Sequence, residues 1–251
     1  MPSSAVGVAP HRRRPHGLRA WIPPQHGVWA MLLLPYLSGL QYGRCWLDLP
    51  LLIMWLSGWL FTHHALLGVK TSRWARYMPQ MAAYASLSAV CAVPVFVVRP
   101  ALLGFVPAFV VLFAVNVVAA RIGQDRATGN GIASVTMASL MAMIVPATAG
   151  EPFTDGLPAA LITWLYLVGT VVYVKTMIRE RGSGLHYGVS VAYHAVALGV
   201  SAAVNVWFLI PFTWLLARAV VLARHRIRVI VVGLTEVTTS VALLGTIVAV
   251  L

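Results

Sequence analysis

Apolar residues fall in nine long stretches that are separated by short polar connections. A bilayer core of about 30 Å calls for roughly 20 apolar residues per helix, and each stretch is close to that length. The pattern therefore predicts an all-α membrane protein with nine transmembrane helices. The predicted spans are 27–43, 48–69, 79–98, 101–119, 132–149, 157–177, 187–204, 206–223 and 228–250.

The positive charges lie almost entirely on one side of this predicted bundle. Of the 18 Lys and Arg residues, only Arg44 and Arg99 belong to the other set of connections. By the positive-inside rule, the N-terminus is predicted in the cytosol and the C-terminus outside. The remaining cations are Arg12, Arg13, Arg14, Arg19, Lys70, Arg73, Arg76, Arg121, Arg126, Lys175, Arg179, Arg181, Arg218, Arg224, Arg226 and Arg228.

Composition supports a membrane environment. The chain is 60% hydrophobic and 10% charged, with a mean hydropathy of +0.84, which excludes an ordinary water-soluble fold. Residues 1–20 are predicted to be a disordered basic cytosolic arm, and 21–251 a single helical membrane domain. The net charge of +12 is explained by orientation and by anionic lipid headgroups, so nucleic acid is not an expected partner. Two cysteines form no metal-binding spacing.

Ionisable residues inside the predicted spans are candidates for function, because burying a charge in lipid is costly. Glu236 and Arg218 lie at similar depths in adjacent antiparallel helices, so we expect them to pair. The pair is either structural or part of a ligand site. His63, His64 and His194 lie in the predicted cytosolic halves of their helices. They are either buried hydrogen-bonding groups or proton carriers. Because His63 and His64 are adjacent in the sequence, their side chains point to different sides of a helix, which is poor geometry for a metal site.

The predicted cytosolic connections combine cations with amide and glycine residues. One segment runs from Asn116 to Asn130 and the other from Lys175 to Gly184. Lys and Arg one helical turn apart share a face, and a glycine-rich turn exposes backbone N–H groups, a combination that suits a phosphate or carboxylate. Alternatively, these cations only orient the helices and contact lipid headgroups.

A short sequence is repeated at the ends of the second and sixth predicted spans. The tripeptide Val69–Thr71 is repeated at Val174–Thr176, with basic residues after each copy. Four predicted helices separate the two copies, as a duplicated four-helix unit would require. A chance match of three residues is the other explanation.

Two longer motifs carry a family resemblance. Pro24–Met31 (PQHGVWAM) resembles the opening signature of the YwiC-like family of bacterial integral membrane proteins, and Tyr173–Gly182 (YVKTMIRERG) resembles a second motif of that family. The Asn116–Asn130 segment and Gly233–Glu236 match it more loosely. The resemblance implies a multi-pass protein of the bacterial cytoplasmic membrane, without implying an activity, a cofactor or a substrate.

Nine spans with an inward N-terminus also resemble the topology of UbiA-type prenyltransferases, which implies a UbiA-like helical bundle. Those enzymes bind prenyl diphosphate through magnesium held by aspartate-rich motifs. Here Asp125 and Glu180 are the only acids on the predicted cytosolic connections. Magnesium commonly needs more than one carboxylate, so a magnesium-dependent reaction is disfavoured and no metal site is expected.

Three functions remain open from the sequence. The first is binding of an anionic lipid-like or diphosphate ligand, such as a prenyl diphosphate, at a basic cytosolic vestibule, with or without a transferase reaction. The second is transport of a small anion or proton-coupled solute, and the third is a structural or accessory role. The candidate ligand-binding residues are Lys175, Arg179, Glu180, Arg181, Arg121, Asp125, Arg126, Asn116, His26 and Lys70.

Overall fold

The computed structural model describes residues 21–23, 26–225 and 229–251, and this part of the chain contains ten α-helices and no strand. The predicted arm at residues 1–20 lies outside the described residues. The helices are α1 (His26–Gly39), α2 (Asp48–Thr71), α3 (Trp74–Val98), α4 (Val106–Arg121), α5 (Thr128–Ser139), α6 (Met141–Ala149), α7 (Leu157–Ile178), α8 (Gly184–Val204), α9 (Leu209–Val221) and α10 (Val229–Val250).

The ten helices of residues 21–23, 26–225 and 229–251 form nine helical rods, because α5 and α6 meet at Leu140 and together form the apolar span Thr128–Ala149. In the described part of the chain, seven spans are long and apolar enough to cross a membrane. The protein is therefore a multi-pass helical membrane protein, as the hydropathy pattern predicts.

The two remaining helices are shorter than the sequence predicts. α1 has 14 residues and α9 has 13, and at 1.5 Å per residue each is about 20 Å long, less than the bilayer core. The prediction of a span to residue 43 is wrong because the chain turns after Gly39, where the Tyr42 N–H donates to the Gly39 carbonyl at 3.2 Å. Short 3-10 turns at Val206–Phe208 and Leu222–Arg224 flank α9.

α7 lies at the centre of the bundle and packs against α1, α5, α6, α8 and α10. In its span 56% of the residues of the most apolar window are buried, against 11% in the spans of α3 and α4. Ile162, Tyr166 and Leu167 of α7 join Phe212 of α9 and Leu243 of α10 in the main hydrophobic core. Side chains on α7 are thus positioned by neighbours on several sides.

α2 and α3 form a tightly packed hairpin at the edge of the bundle. Their connection is only Ser72 and Arg73, with Ser72 in a left-handed conformation at φ 54°. α3 therefore begins at Trp74, five residues before the predicted span. Valines on the outer face of the hairpin, including Val90 and Val93, are exposed, which suits contact with lipid tails.

At the end of the bundle opposite the basic connections, Arg99 and Arg44 donate to carbonyl groups in or just after the last turn of a helix. Arg99 donates from Nε to the Thr148 carbonyl and from Nη2 to the Ala149 carbonyl, both at 3.0 Å. Arg44 donates from Nε to the Leu40 carbonyl at 3.3 Å. Carbonyl groups in the last turn of a helix lack intrahelical partners, and a cation there is favourable. These two exceptions to the charge pattern therefore have a structural role.

Close helix packing at two glycines gives a test of this architecture. A Cβ atom at Gly39 would lie 2.8 Å from the Val145 Cβ, and one at Gly156 would collide with the Ala142 carbonyl. We expect Gly39→Ala and Gly156→Ala each to lower the free energy of unfolding by about 1–3 kcal/mol, because a packed site cannot accept the methyl group. The measurement is thermal unfolding in detergent, followed by tryptophan fluorescence.

Gly199, within α8, is the matched control. A Cβ atom there meets nothing within 4 Å, and alanine is the better helix former. Gly199→Ala should leave the melting temperature unchanged or raise it slightly. Equal effects at all three glycines would contradict the described packing.

Candidate functional site

The connection between α4 and α5 is the meeting point of the two repeated tripeptides. Lys70, at the end of α2, donates from Nζ to the Asp125 carboxylate at 2.8 Å. Lys175, near the end of α7, donates from Nζ to the Thr128 hydroxyl at 2.9 Å. The equivalent lysines of the two motifs therefore contact positions only three residues apart.

Further hydrogen bonds hold the same connection in place. Arg179 donates from Nη1 to the Arg126 carbonyl at 3.1 Å, and Asn130 donates from Nδ2 to the Asp125 carbonyl at 2.8 Å. The chain between α4 and α5 is thus fixed against the ends of α2 and α7. We call this region the basic end of the bundle, defined by Lys70, Arg121, Asp125, Arg126, Lys175 and Arg179.

The basic end is accessible to water and strongly positive. The side chains of Lys70 and Asp125 are 42% and 33% exposed. The hydrogen bond from Lys70 and the nearby charge of Arg126 hold the pKa of Asp125 below its usual value, so the carboxylate stays ionised at neutral pH. An exposed pair of this kind contributes little to stability. Its main effect is to position the connection while leaving an excess of positive charge.

The remaining predicted site residues are not all brought to this region. Arg181 donates from Nε back to the Met177 carbonyl at 3.0 Å, and Glu180 lies 3.8 Å from Nδ1 of His186 at the start of α8. Arg121 is exposed at the end of α4. His26 begins α1, but its side chain lies outside the described part of the structure. The predicted set therefore divides between two neighbourhoods.

A line of polar side chains leads from the basic end into the bundle. Asn116 of α4 is buried, and its Oδ1 accepts a hydrogen bond from the Ser134 hydroxyl of α5 at 2.9 Å. Ser134 also donates to the Asn130 carbonyl at 3.0 Å. The Asn130 Oδ1 atom is buried without a hydrogen-bond partner among the described residues. Asn130, Ser134 and Asn116 thus connect the α4–α5 connection with deeper positions.

An apolar cavity of about 390 Å³ begins where this polar line ends. Phe113 and Met137 line the cavity, and each is three residues from a member of the polar line, Asn116 and Ser134 respectively. Residues three apart on a helix are neighbours on one face. The cavity lies between α2, α3 and the α4 to α6 segment, and its aromatic lining includes Trp55, Trp59, Phe105, Phe109 and Phe113.

A second polar centre lies on the other side of α7. Arg218 of α9 and Glu236 of α10 form a buried ion pair between Nη1 and Oε1, as their depths in antiparallel helices predict. The Glu236 Oε2 atom accepts hydrogen bonds from the Thr170 hydroxyl at 2.8 Å and the Tyr166 hydroxyl at 3.0 Å. The Tyr166 hydroxyl also contacts the Ser240 hydroxyl at 2.9 Å. The carboxylate is therefore fully engaged.

The predicted histidines occupy separate surroundings. His63 stacks on Trp59, with ring centroids 5.7 Å apart, and His64 packs against Tyr84 at 5.7 Å, so both belong to the α2–α3 hairpin. His194 lies in α8 beside α7, and its Nδ1 atom donates to the Ser190 carbonyl at 2.7 Å. A path that joins His63 to Arg218 and Glu236 is therefore not supported by their placement.

Comparison with known proteins gives a match to one protein family. The model of the YwiC-like family, described as YwiC-like protein, matches residues 22–146. The protein YwiC of Bacillus subtilis strain 168, itself described as uncharacterized, is 30% identical over 190 residues, which cover 74% of this chain and 78% of that protein. The chain belongs to the YwiC-like family.

A second relative extends the similarity along the chain. An uncharacterized protein of Haemophilus influenzae is 27% identical over 223 residues, which cover 87% of this chain and 93% of that protein. No solved structure matches the chain, so the UbiA-like packing stays a prediction. The family match includes the α4–α5 connection and the cavity-lining helices, whereas the Arg218–Glu236 pair lies beyond the matched range.

Several residues of the buried polar centre are not predicted from the sequence. Tyr166, Thr170 and Tyr173 lie at helical spacing on one face of α7, and Ser240 lies one turn after Glu236. All four carry a hydroxyl group, and Thr and Ser are residues that commonly hydrogen-bond between membrane helices. The available signal is the spacing, since three hydroxyls at intervals of three and four residues form a polar stripe.

The Arg218–Glu236 pair gives a sharp test of this centre. Glu236→Gln or Arg218→Gln alone should lower the free energy of unfolding by about 3–5 kcal/mol, because the remaining charge is left buried without its partner. The double variant should lose clearly less than the sum of the two single variants. The measurement is unfolding of the purified protein in mixed micelles.

Glu180→Gln is the matched control, because this carboxylate is partly exposed in the connection between α7 and α8 and should contribute little. Additive losses in the double variant would show that Arg218 and Glu236 do not stabilise one another.

Proposed function

We propose that this protein binds an anionic lipid or a lipid-like diphosphate in the bacterial cytoplasmic membrane, with the headgroup at the basic end and the apolar chain in the cavity. The proposal rests on the continuity between the apolar cavity and the polar groups that lead to the basic end. The aromatic-lined cavity of about 390 Å³ ends one helical turn from Asn116 and Ser134. From there, polar groups continue to the lysines at the α4–α5 connection.

The headgroup side has the chemistry that an anion needs. Lys70 and Lys175 approach the connection from opposite sides, and each uses only one hydrogen bond there, although an ammonium group has three donors. Arg179 and Arg126 add guanidinium groups that remain exposed. A phosphate accepts several charge-assisted hydrogen bonds at once, so it suits this arrangement.

The tail side has the chemistry that a hydrocarbon chain needs. The lining is formed by Trp, Phe, Met, Leu, Ile and Val side chains together with Thr62 and Gly58. Apolar ligands gain affinity by contact with such surfaces, while a few polar groups at one end set the orientation. We infer that the α2–α4 side admits the chain from the bilayer.

Transport of a small anion is the weaker alternative. The buried polar residues near α7, including Arg218, Glu236 and Thr170, lie in the half of their helices nearer the basic end. The opposite half is built from apolar residues such as Leu161, Leu243 and Ile247. A pathway across the bilayer would need polar groups through the full thickness, so the arrangement favours a site reached from one side.

Lipid binding measured by native mass spectrometry tests the proposal. The probes are dioleoyl phosphatidylglycerol, an anionic lipid, dioleoyl phosphatidylcholine, a neutral zwitterion, and farnesyl diphosphate. We expect the full-length protein to bind an anionic probe in preference to phosphatidylcholine. Lys175→Ala and Arg179→Ala should each weaken that binding about tenfold, because each removes a charge-assisted hydrogen bond.

Arg44→Ala is the matched control, since it removes an exposed cation from the opposite end of the bundle and should leave binding unchanged. Preference for farnesyl diphosphate over phosphatidylglycerol would identify the diphosphate as the headgroup. Equal retention of neutral and anionic probes, or unchanged binding in both cation variants, would contradict the proposal.

A further inference from the structure

Arg218 keeps one edge of its guanidinium group without a protein partner. The residue is 1% exposed, and its Nη1 atom donates to Glu236. The Nε and Nη2 atoms are both buried and have no hydrogen-bond partner among the described residues. A buried N–H without a partner is costly, and two on one edge of a charged group demand an explanation.

The free edge has the geometry of a binding fork. The N–H groups of Nε and Nη2 point in parallel, which matches the two oxygens of a carboxylate. Tyr173 fixes the plane of the fork, because the guanidinium carbon lies 4.5 Å from the centre of the Tyr173 ring. Glu236 fixes its other end. The fork is thus rigid before any ligand arrives.

Two further unpartnered polar atoms lie on the adjacent helix α8. The Ser190 Oγ and the His194 Nε2 atoms are buried and lack hydrogen-bond partners in the described part of the chain. Both residues are at most 1% exposed. They lie one helical turn apart and so share a face of α8. Four unpartnered polar atoms are therefore contributed by three buried side chains.

Contacts with α7 bring these side chains into one neighbourhood. A Cβ atom at Gly169 would lie 3.1 Å from the His194 Nε2 atom, and Tyr173, beneath Arg218, is one turn further along α7. α8 also packs directly against α9, and His194 is within electrostatic range of Arg218. The glycine leaves the His194 ring edge close to the α7 backbone.

The hydrogen-bonding roles of these atoms are fixed by their surroundings. The Nδ1 atom of His194 contacts the Ser190 carbonyl at 2.7 Å, and since a carbonyl only accepts, Nδ1 carries the proton. In the neutral ring the Nε2 atom is then an acceptor. The site offers two N–H donors from Arg218, one hydroxyl from Ser190 and one acceptor from His194.

We propose that Arg218, Ser190 and His194 form a second, buried site that binds a small hydroxy carboxylate. The carboxylate takes the Arg218 fork and the Ser190 hydroxyl, and the ligand hydroxyl donates to His194. Arg218 would then be shared between Glu236 and the ligand carboxylate, so a singly charged anion costs less to bury there than a dianion. This site is separate from the lipid-binding region, on the opposite side of α7.

Thermal stabilisation of the purified full-length protein tests this site. The probes are sodium lactate, sodium propionate, which lacks the hydroxyl, and sodium sulfate, a dianion, at constant ionic strength. A ligand that binds the folded state raises the melting temperature in a saturable way. We expect saturation with lactate at a concentration about three- to tenfold lower than with propionate, because propionate leaves the His194 acceptor unpaired.

Variants assign the effect to the proposed residues. Ser190→Ala should weaken lactate binding about three- to tenfold, although loss of an unpartnered hydroxyl would otherwise be neutral for stability. His194→Asn should abolish the preference for lactate over propionate. Ser201→Ala is the control, because Ser201 is equally buried in α8 but its hydroxyl already donates to the Leu198 carbonyl at 3.0 Å.

Saturable stabilisation by lactate that is weaker in Ser190→Ala and unchanged in Ser201→Ala would support the site. No saturable effect of lactate, an equal effect of propionate or sulfate, or an unchanged effect in Ser190→Ala would overturn it. The comparison of lactate with propionate on the unaltered protein decides the matter even where a variant does not fold.

Discussion

The cost of placing a charge or an unpaired polar group in lipid is the constraint on which this structure depends. It explains why cations gather at one end of the bundle and why Arg99, at the other end, caps the carbonyls of α6. It also explains the environment of Arg218, the largest fully buried side chain in the described part of the chain, which is paired with Glu236. Where buried polar atoms of Arg218, Ser190 and His194 lack partners among the described residues, we propose a site for a ligand.

This constraint makes part of the structure predictable from sequence. Long apolar stretches locate the spans, and matching depths in neighbouring helices predict the contact between Arg218 and Glu236. The shortness of α1 is not predictable, because a local turn after Gly39 ends the helix inside an apolar stretch. The roles of Tyr166 and Ser240 are also hidden, since a hydroxyl in a membrane helix usually bonds its own backbone and only packing shows otherwise.

The candidate site was partly predictable for the same reason. Charge patterning identifies the basic connections, and the repeated tripeptide identifies Lys70 and Lys175, which the fold brings to one short segment. The cavity could not be derived, since it depends on how α2 and α4 pack. α7 separates it from the polar centre around Arg218. We therefore see two regions with different chemistry, one suited to a lipid with an anionic headgroup and one to a small polar anion.

The proposed headgroup region lies at the basic end of the bundle, which is predicted to face the cytosol, so the orientation of the basic end is the central claim. Single cysteines placed by Gln124→Cys and Thr154→Cys, after replacement of Cys45 and Cys91 by serine, would lie at opposite ends of the bundle. A membrane-impermeant maleimide should label the Thr154→Cys variant in intact bacterial cells, and the Gln124→Cys variant only after the membrane is opened. Labelling of the Gln124→Cys variant in intact cells would contradict the account.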